Sequence, residues 1–530
     1  MIKRIRRLRK RRKNDVLQQN AKKKQKDRVD GVSISSDVEA NLDYFETLLD
    51  KKNSNDLIVR RFTIQYTTEC KAGLIYFDGM SLTAGIDENV FEPLMLMGKT
   101  LDTKKDLLEA VDQSLIQFGD VKRITKMEDL VNNTLGGNVA LFVDGYAEGF
   151  IIGLKGPHRR SVSDPRSETV IRGSREGFVE SMRVNTALVR QRLQDPDLRM
   201  KGMTVGKRTK TPISVAYLDG LAENELVEEV VKRIEAINID GILESGYIEE
   251  MIQDNVWSIF PTIQNTERPD TVVAHLLEGK VAVIVEGTPN VLIAPAIFSQ
   301  FYNSPDDYYE RYLIGTFIRL IRLLSLLISL SLPALYISFI SFHPEMIPPQ
   351  LTIAASAGRE TVPFPSIIEA LIMELSVEIL REASIRLPGL LGPTIGIVGA
   401  LVVGQAAVTA GLVSPLMVII VGLTTISSYA TPSYNAAISL RLLRFPIIMS
   451  AGIFGLFGVI LLSFIILIHL LKLRSFNVPY MAPFSPLRLS DLKDSFIRVP
   501  WQYMNQRPVI FRAENDKREE EVKSGGQKQP

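Results

Sequence analysis

The sequence predicts an α/β soluble N-terminal region of two related subdomains followed by an all-α polytopic membrane domain. Three observations carry this prediction. Acid-glycine turns recur at a nearly constant offset in the N-terminal half, the long apolar runs are confined to residues 323–471, and charge lies mostly outside those runs. At 530 residues the chain exceeds what one core sustains, and its overall hydrophobic content of 46% conceals the segregation. The expected division is a basic disordered tail at 1–32, soluble subdomains at 33–165 and 166–312, a helical membrane domain at 313–475, and a cytoplasmic C-terminal tail at 476–530.

Residues 1–30 hold fourteen Lys and Arg against Asp15, Asp27 and Asp30, a formal +11; the whole chain carries +2, so the remainder carries −9. Ile2, Ile5 and Leu8 stand isolated among arginines, with no apolar region of signal-peptide length, and a cytoplasmic N-terminus is expected. Such a tail is either a solvated arm or a binder of anionic headgroups or nucleic acid. Cys70 is the sole cysteine, which excludes an intrachain disulfide and a cysteine metal cluster.

Next come strands alternating with amphipathic stretches. Tyr76-Phe77-Asp78-Gly79-Met80 is echoed 141 residues on by Tyr217-Leu218-Asp219-Gly220-Leu221, and Phe142-Val143-Asp144-Gly145-Tyr146 is echoed after 142 by Ile284-Val285-Glu286-Gly287-Thr288. A helical stretch at 37–49 has a counterpart at 179–193. The spacing indicates an internal duplication with a boundary near residues 156–175. The acid-glycine pairs read as tight turns rather than catalytic carboxylates, because glycine tolerates positive φ and aspartate bonds its own backbone. The polar linker, with Asp164, Glu168 and Glu176 among arginines, either packs the subdomains by salt bridges or docks a neighbouring subunit. No Walker loop, HExxH or nucleophile elbow is present, and His158, His275, His343 and His469 lie far apart. Neither catalytic residues nor a metal or cofactor site is expected.

Residues 323–342 run without formal charge, long enough to cross a hydrocarbon core, and Arg311, Arg319 and Arg322 before them place that start on the cytoplasmic side. Pro363-Phe364-Pro365 opens an amphipathic helix that ends at Pro388-Gly389. The span at about 392–412 sets Gly392, Gly396, Ala400 and Gly404 at every fourth position, a helix-packing face. The span at about 415–430 ends in hydroxyls including Thr424, Thr425 and Ser428, which either line water or bond across helices. A last run at 445–471 precedes Lys472, Arg474 and further basic residues, which favours a cytoplasmic C-terminus. Four full spans with 366–387 buried or re-entrant satisfy that topology, although Arg441 and Arg444 then flank the last span on the outer side.

Several segments resemble one family: the Tyr-Phe-Asp-Gly-Met turn at 76–80, Val170-Ile171-Arg172-Gly173-Ser174-Arg175-Glu176-Gly177-Phe178, Glu378-Ile379-Leu380-Arg381-Glu382-Ala383, Gly404-Gln405-Ala406-Ala407-Val408 and Gly411-Leu412-Val413-Ser414-Pro415. Collinear over roughly residues 40–490, they resemble the A subunits of GerA-type spore germinant receptors, including the relative in the SpoVA operon. The resemblance implies a subunit of a nutrient-sensing complex in the inner membrane of endospores that homo-oligomerises into a channel for monovalent cations. It further implies a transporter-like B subunit that binds the nutrient and a lipoprotein C subunit. Membrane lipids are expected partners and nucleic acid is not.

Within residues 366–387, Glu374, Glu378 and Glu382 recur every four residues and form one stripe. An unpaired charge facing lipid costs at least about 2.5 kcal/mol, so the stripe is expected to face water at an oligomer axis, where it becomes acidic rings that select cations. The alternative is an interfacial helix with Glu382–Arg386 and Glu378–Arg381 pairs. Two functions follow: a ligand-gated cation channel subunit, or a non-conducting scaffold that docks other complexes. A transporter is disfavoured, since the few apolar segments show no internal repeat.

Overall fold

A computed structural model describes residues 32–65, 69–95, 109, 111, 120–156, 164–165, 168–386, 399, 402–515 and 517–518. Gly392, Gly396, Ala400 and nearly all of the basic N-terminal segment lie outside the described residues.

The N-terminal half contains two antiparallel five-stranded sheets. The first is built from β1 (Leu57–Gln65), β2 (Glu69–Phe77), β3 (Val121–Ile124), β4 (Val139–Val143) and β5 (Gly149–Ile152), in spatial order 1-2-4-5-3. The second repeats that order with β6 (Leu198–Val205), β7 (Thr211–Leu218), β8 (Gln264–Thr266), β9 (Val281–Val285) and β10 (Val291–Ala294). Each sheet is covered on both faces. In the first, Ile75 and Phe77 pack under α1 (Val38–Leu48) and α2 (Met127–Leu135), while Leu74 and Tyr76 pack on Ile86 and Val90. In the second, α3 (Met182–Arg192) and α6 (Pro269–Leu276) cover one face, and α4 (Asn224–Glu235) and α5 (Ser245–Ile252) the other. Two-sided burial explains why β4 and β9 read as unbroken apolar runs instead of alternating.

The duplication extends to single hydrogen bonds. Asn41 and Asn185 each clamp the chain six residues back, accepting from Ser35 N and Val179 N and donating to the same residues' carbonyls. Asp144 accepts from Val38 N, and Glu286 from Met182 N, so the acid of each second turn holds the start of a helix. All four turn glycines, Gly79, Gly145, Gly220 and Gly287, have positive φ, as tight turns require. Between the units Arg190 pairs with Asp56 at 2.6 Å and lies over the Phe77 ring, and Arg183 pairs with Asp78.

The helical part comprises α7 (Tyr312–Ser341), α8 (Pro349–Ala357), α9 (Ser366–Arg386), a helical segment at 402–409, α10 (Pro415–Ser428) and α11 (Tyr434–Lys472). Ser414 caps α10 by accepting from Met417 N, with Pro415 in the first turn. Two of these helices, α7 and α11, are long and apolar enough to cross a membrane.

The expectation of one span at 445–471 is corrected. Gly455 leaves the helical region (φ 58°, ψ −143°), and α11 folds back there. Ser439 Oγ donates to Ile259 O at 2.5 Å, and Ser258 Oγ lies 3.1 Å from His469 Nε2. On one straight helix residues 439 and 469 would stand about 45 Å apart. They instead meet neighbouring residues, so α11 is an antiparallel hairpin with both ends at the soluble region. The last of the four expected spans is therefore not one continuous helix.

The chain beyond α11 folds back onto the soluble units: Phe476 joins the core between β7 and α4, and Ala513 joins the core that includes Leu188 and Leu276.

Candidate functional site

Carboxylates on α9 are met by arginines from elsewhere in the bundle. Glu369 pairs with Arg359 at 3.0 Å and accepts from Ser414 N at 3.0 Å. One turn on, Glu374 accepts from Arg444 Nη1 at 2.5 Å, with both side chains 1% exposed. Arg444 spends its other donors on Ser329, Nε to the carbonyl at 2.8 Å and Nη2 to the hydroxyl at 3.0 Å. Glu378 pairs with Arg441 at 2.9 Å and approaches Arg381 at 3.8 Å. Arg381 donates to Ser428 Oγ at 2.9 Å and lies 4.7 Å from the Tyr429 ring centre. Glu382 pairs with Arg386 at 2.5 Å, both exposed.

The stripe expected to face water is thus distributed. Glu374 is enclosed in the protomer, Glu378 is partly enclosed, and Glu382 lies at the surface with the helical partner the interfacial alternative named. The hydroxyls are satisfied within α10: Thr424 donates to Ile420 O, Thr425 to Val421 O and Ser428 to Thr425 O, each at 2.7 Å. Gly404 is buried, and a Cβ there would meet Val418 at 3.3 Å. Ser329 carried no signal in the sequence, and Arg359 carried one only as the single basic residue between His343 and Pro365. Arg441 and Arg444 carried a signal, because they broke the expected charge asymmetry.

A cavity of about 1490 Å³ lies between this ladder and the soluble region. Thr425, Ser428, Arg381 and Arg441 line its bundle side, and Asp270, His275, Asp491 and Asp494 its other side; Glu374, Glu378 and Glu382 do not line it. Beside it, one junction joins three segments. The Asp307 carboxylate, fully enclosed, accepts from Arg319 Nε at 3.1 Å and from Arg322 at 2.7 and 2.8 Å. Asp494 accepts from Arg319 at 3.0 Å and from Tyr308 OH at 2.9 Å, and Arg498 donates to the carbonyls of Asp307 and Glu310. Burial pushes the Asp494 carboxyl up from its ordinary range. The soluble region's exit, the first turns of α7 and the C-terminal segment are therefore clamped together.

A pair of α/β units joined to a helical bundle with enclosed ion pairs makes a two-part protein, two of whose helices are long and apolar enough to cross a membrane. Residues 43–510 match the family described as Bacillus/Clostridium GerA spore germination protein, and the chain belongs to that family. It is 44% identical to the uncharacterized membrane protein YfkQ of Bacillus subtilis, over 90% of this chain and 92% of that protein. It is 42% identical to spore germination protein KA of Bacillus subtilis, over 92% of this chain and 88% of that protein. A crystal structure of the N-terminal domain of the A subunit of the Bacillus megaterium spore germinant receptor GerK3 matches with a TM-score of 0.40 and 33% identity, covering 50% of this chain and 98% of that one.

Proposed function

We propose that this chain is the A subunit of a nutrient-sensing germinant receptor, a multi-pass protein of the spore inner membrane whose bundle oligomerises around a gated path for monovalent cations. The observation that carries the reading is the ladder Glu374–Arg444 and Glu378–Arg441, four ionisable groups paired where α9 packs against the apolar helix α11. Ionisable residues at such depth mark ion pathways more often than structural filler. In the arrangement seen, arginines neutralise the carboxylates, and this is the closed state. Opening exchanges those pairs so that Glu378 and Glu382 face the ions, with Thr424, Thr425 and Ser428 beside the path and Gly392, Gly396, Ala400 and Gly404 packing helix on helix.

The soluble region and the C-terminal segment pack at one end of the bundle, which supports placing both on the cytoplasmic side. The division along the chain remains the one expected from sequence, with 1–32 a basic arm toward membrane lipids. A transporter-like B subunit binds the nutrient and a lipoprotein C subunit completes the complex. The chain itself does no catalysis.

One observation favours a second reading, a non-conducting scaffold: Glu369, Glu374 and Glu378 all find partners within one protomer, so charge balance needs no pore. Glu378→Gln and Glu382→Lys separate the two. If these groups meet the ions, potassium flux through the reconstituted receptor falls or its selectivity weakens. Unchanged conductance and ion preference, in variants shown to assemble, sink the pore assignment and leave the scaffold.

A further inference from the structure

The segment between α5 and β8 leaves the α/β layers and touches the bundle. Ile259 O accepts from Ser439, Ser258 meets His469, and Phe260 is buried with Ala436, Leu443, Leu470 and Leu473. These contacts fix its level at the soluble-side ends of both α11 arms. Between them Trp257 is 94% exposed, and Val256 and Ile259 are exposed as well. On the preceding helix Tyr247 and Met251, one turn apart, are also exposed, as is Leu243 in the segment leading into that helix. The cores of this unit are otherwise complete, so an apolar cluster of this kind marks an interaction surface.

What covers it is indicated by continuity. The second α11 arm presents Phe464, Ile465, Ile468 and Leu471 to its surroundings, and that apolar surface stops at exposed Lys472 and Arg474. Trp257 sits at this rim. The chain has two tryptophans, and the other, Trp501, lies beside the first turns of α7, its ring tilted near that of Tyr308, with Arg498 bonded to Thr316. An indole joins an apolar body to an N–H donor and suits the boundary where hydrocarbon meets headgroups.

We propose that Val256, Trp257 and Ile259 form a membrane-interface anchor, seating the second α/β unit among lipid headgroups beside the α11 hairpin, with Lys472 and Arg474 against the phosphates. The anchor rests on the reading of α11 as membrane-embedded. It ties the soluble region to the bilayer at a point separate from the Asp307 junction, so movement of that unit is felt in the α11 arms.

The test uses the full chain as Trp501→Phe, which leaves Trp257 as the single indole, in vesicles of phosphatidylcholine and phosphatidylglycerol. Trp501→Tyr gives the same readout should phenylalanine disturb the contact with Tyr308. Expected are blue-shifted emission, quenching by lipids brominated near the carbonyl end of their chains, and weak quenching by aqueous acrylamide. Water-like emission quenched by acrylamide but not by brominated lipid overturns the anchor. So does indifference to both quenchers, which means that protein, such as a second copy, covers the loop. Protein that fails to float with the vesicles overturns the membrane reading itself, and the anchor with it.

Discussion

Glu374 and Arg444 lie 70 residues apart in sequence and enclose each other almost completely. Removing one partner strands the other charge in an apolar setting, at a cost of about 3–5 kcal/mol. Arg444→Leu and Glu374→Leu are therefore each expected to lower the thermal unfolding midpoint of the detergent-solubilised chain strongly. The double leucine variant should lose far less than the sum, because no charge is stranded; additive losses would show that the pair is not coupled. Lys280 gives a different test. Fully buried beside His275 and Glu278 and against the Phe511 ring, it is held by burial down at about 7, while Glu278, against the opposing effect of burial, falls to about 2 through its His275 hydrogen bond and the nearby Lys280 and Arg518. Between about pH 7 and the ordinary lysine value of 10.5 the unfolded chain binds a proton that the folded chain does not, so stability rises with pH across that window. Lys280→Met should flatten the rise, as read by unfolding midpoints between pH 7 and 10. An unchanged slope would mean that Lys280 stays charged when folded. The Glu382–Arg386 pair followed from its i, i+4 spacing, but the arginines that reach Glu374 and Glu378 from α11 were not legible, since partners on separate helices leave no local spacing; only the misplaced charges of Arg441 and Arg444 hinted at them.

At the scale of elements, the turns were the most legible part. Asp-Gly and Glu-Gly pairs specify local backbone geometry, and their echo exposed the duplication that the shared strand order displays. The α11 hairpin was not legible, because glycine is common in apolar helices and Gly455 looks like Gly452 and Gly458 until its backbone is known. Its conformation is one that glycine adopts and other residues resist by about 1–3 kcal/mol, and an added Cβ would sit 2.9 Å from Phe342. Gly455→Ala should thus destabilise the bundle clearly, whereas Gly422→Ala, with nothing within 4 Å of the new carbon, should be nearly neutral. Equal effects of the two would contradict a reversal at Gly455. The packing role expected of the small-residue face is testable at its described member: Gly404→Leu must push Val418 aside, and is expected to reduce the yield of assembled protein.

For the whole molecule, the hairpin sets which ends share a side. Residues 439 and 469 lie at the soluble region, while Gly455 lies against Phe342 at the far end of α7. In a Cys70→Ser background, Leu456→Cys should react with an impermeant thiol reagent from the face opposite the soluble region; a single span would bury it at mid-membrane. Segregated charge revealed the two-part architecture in advance, but charge counting alone could not supply a reversal in mid-run. The bundle, clamped to the soluble region through Asp307, is proposed to open a cation path. That proposal is tested most directly by the reversal potential of the chain, reconstituted with the proposed transporter-like B subunit, under a potassium chloride gradient with nutrient present. Discrete currents that reverse close to the potassium equilibrium potential are expected; absence of current under every nutrient, or reversal at the chloride potential, would contradict a cation path.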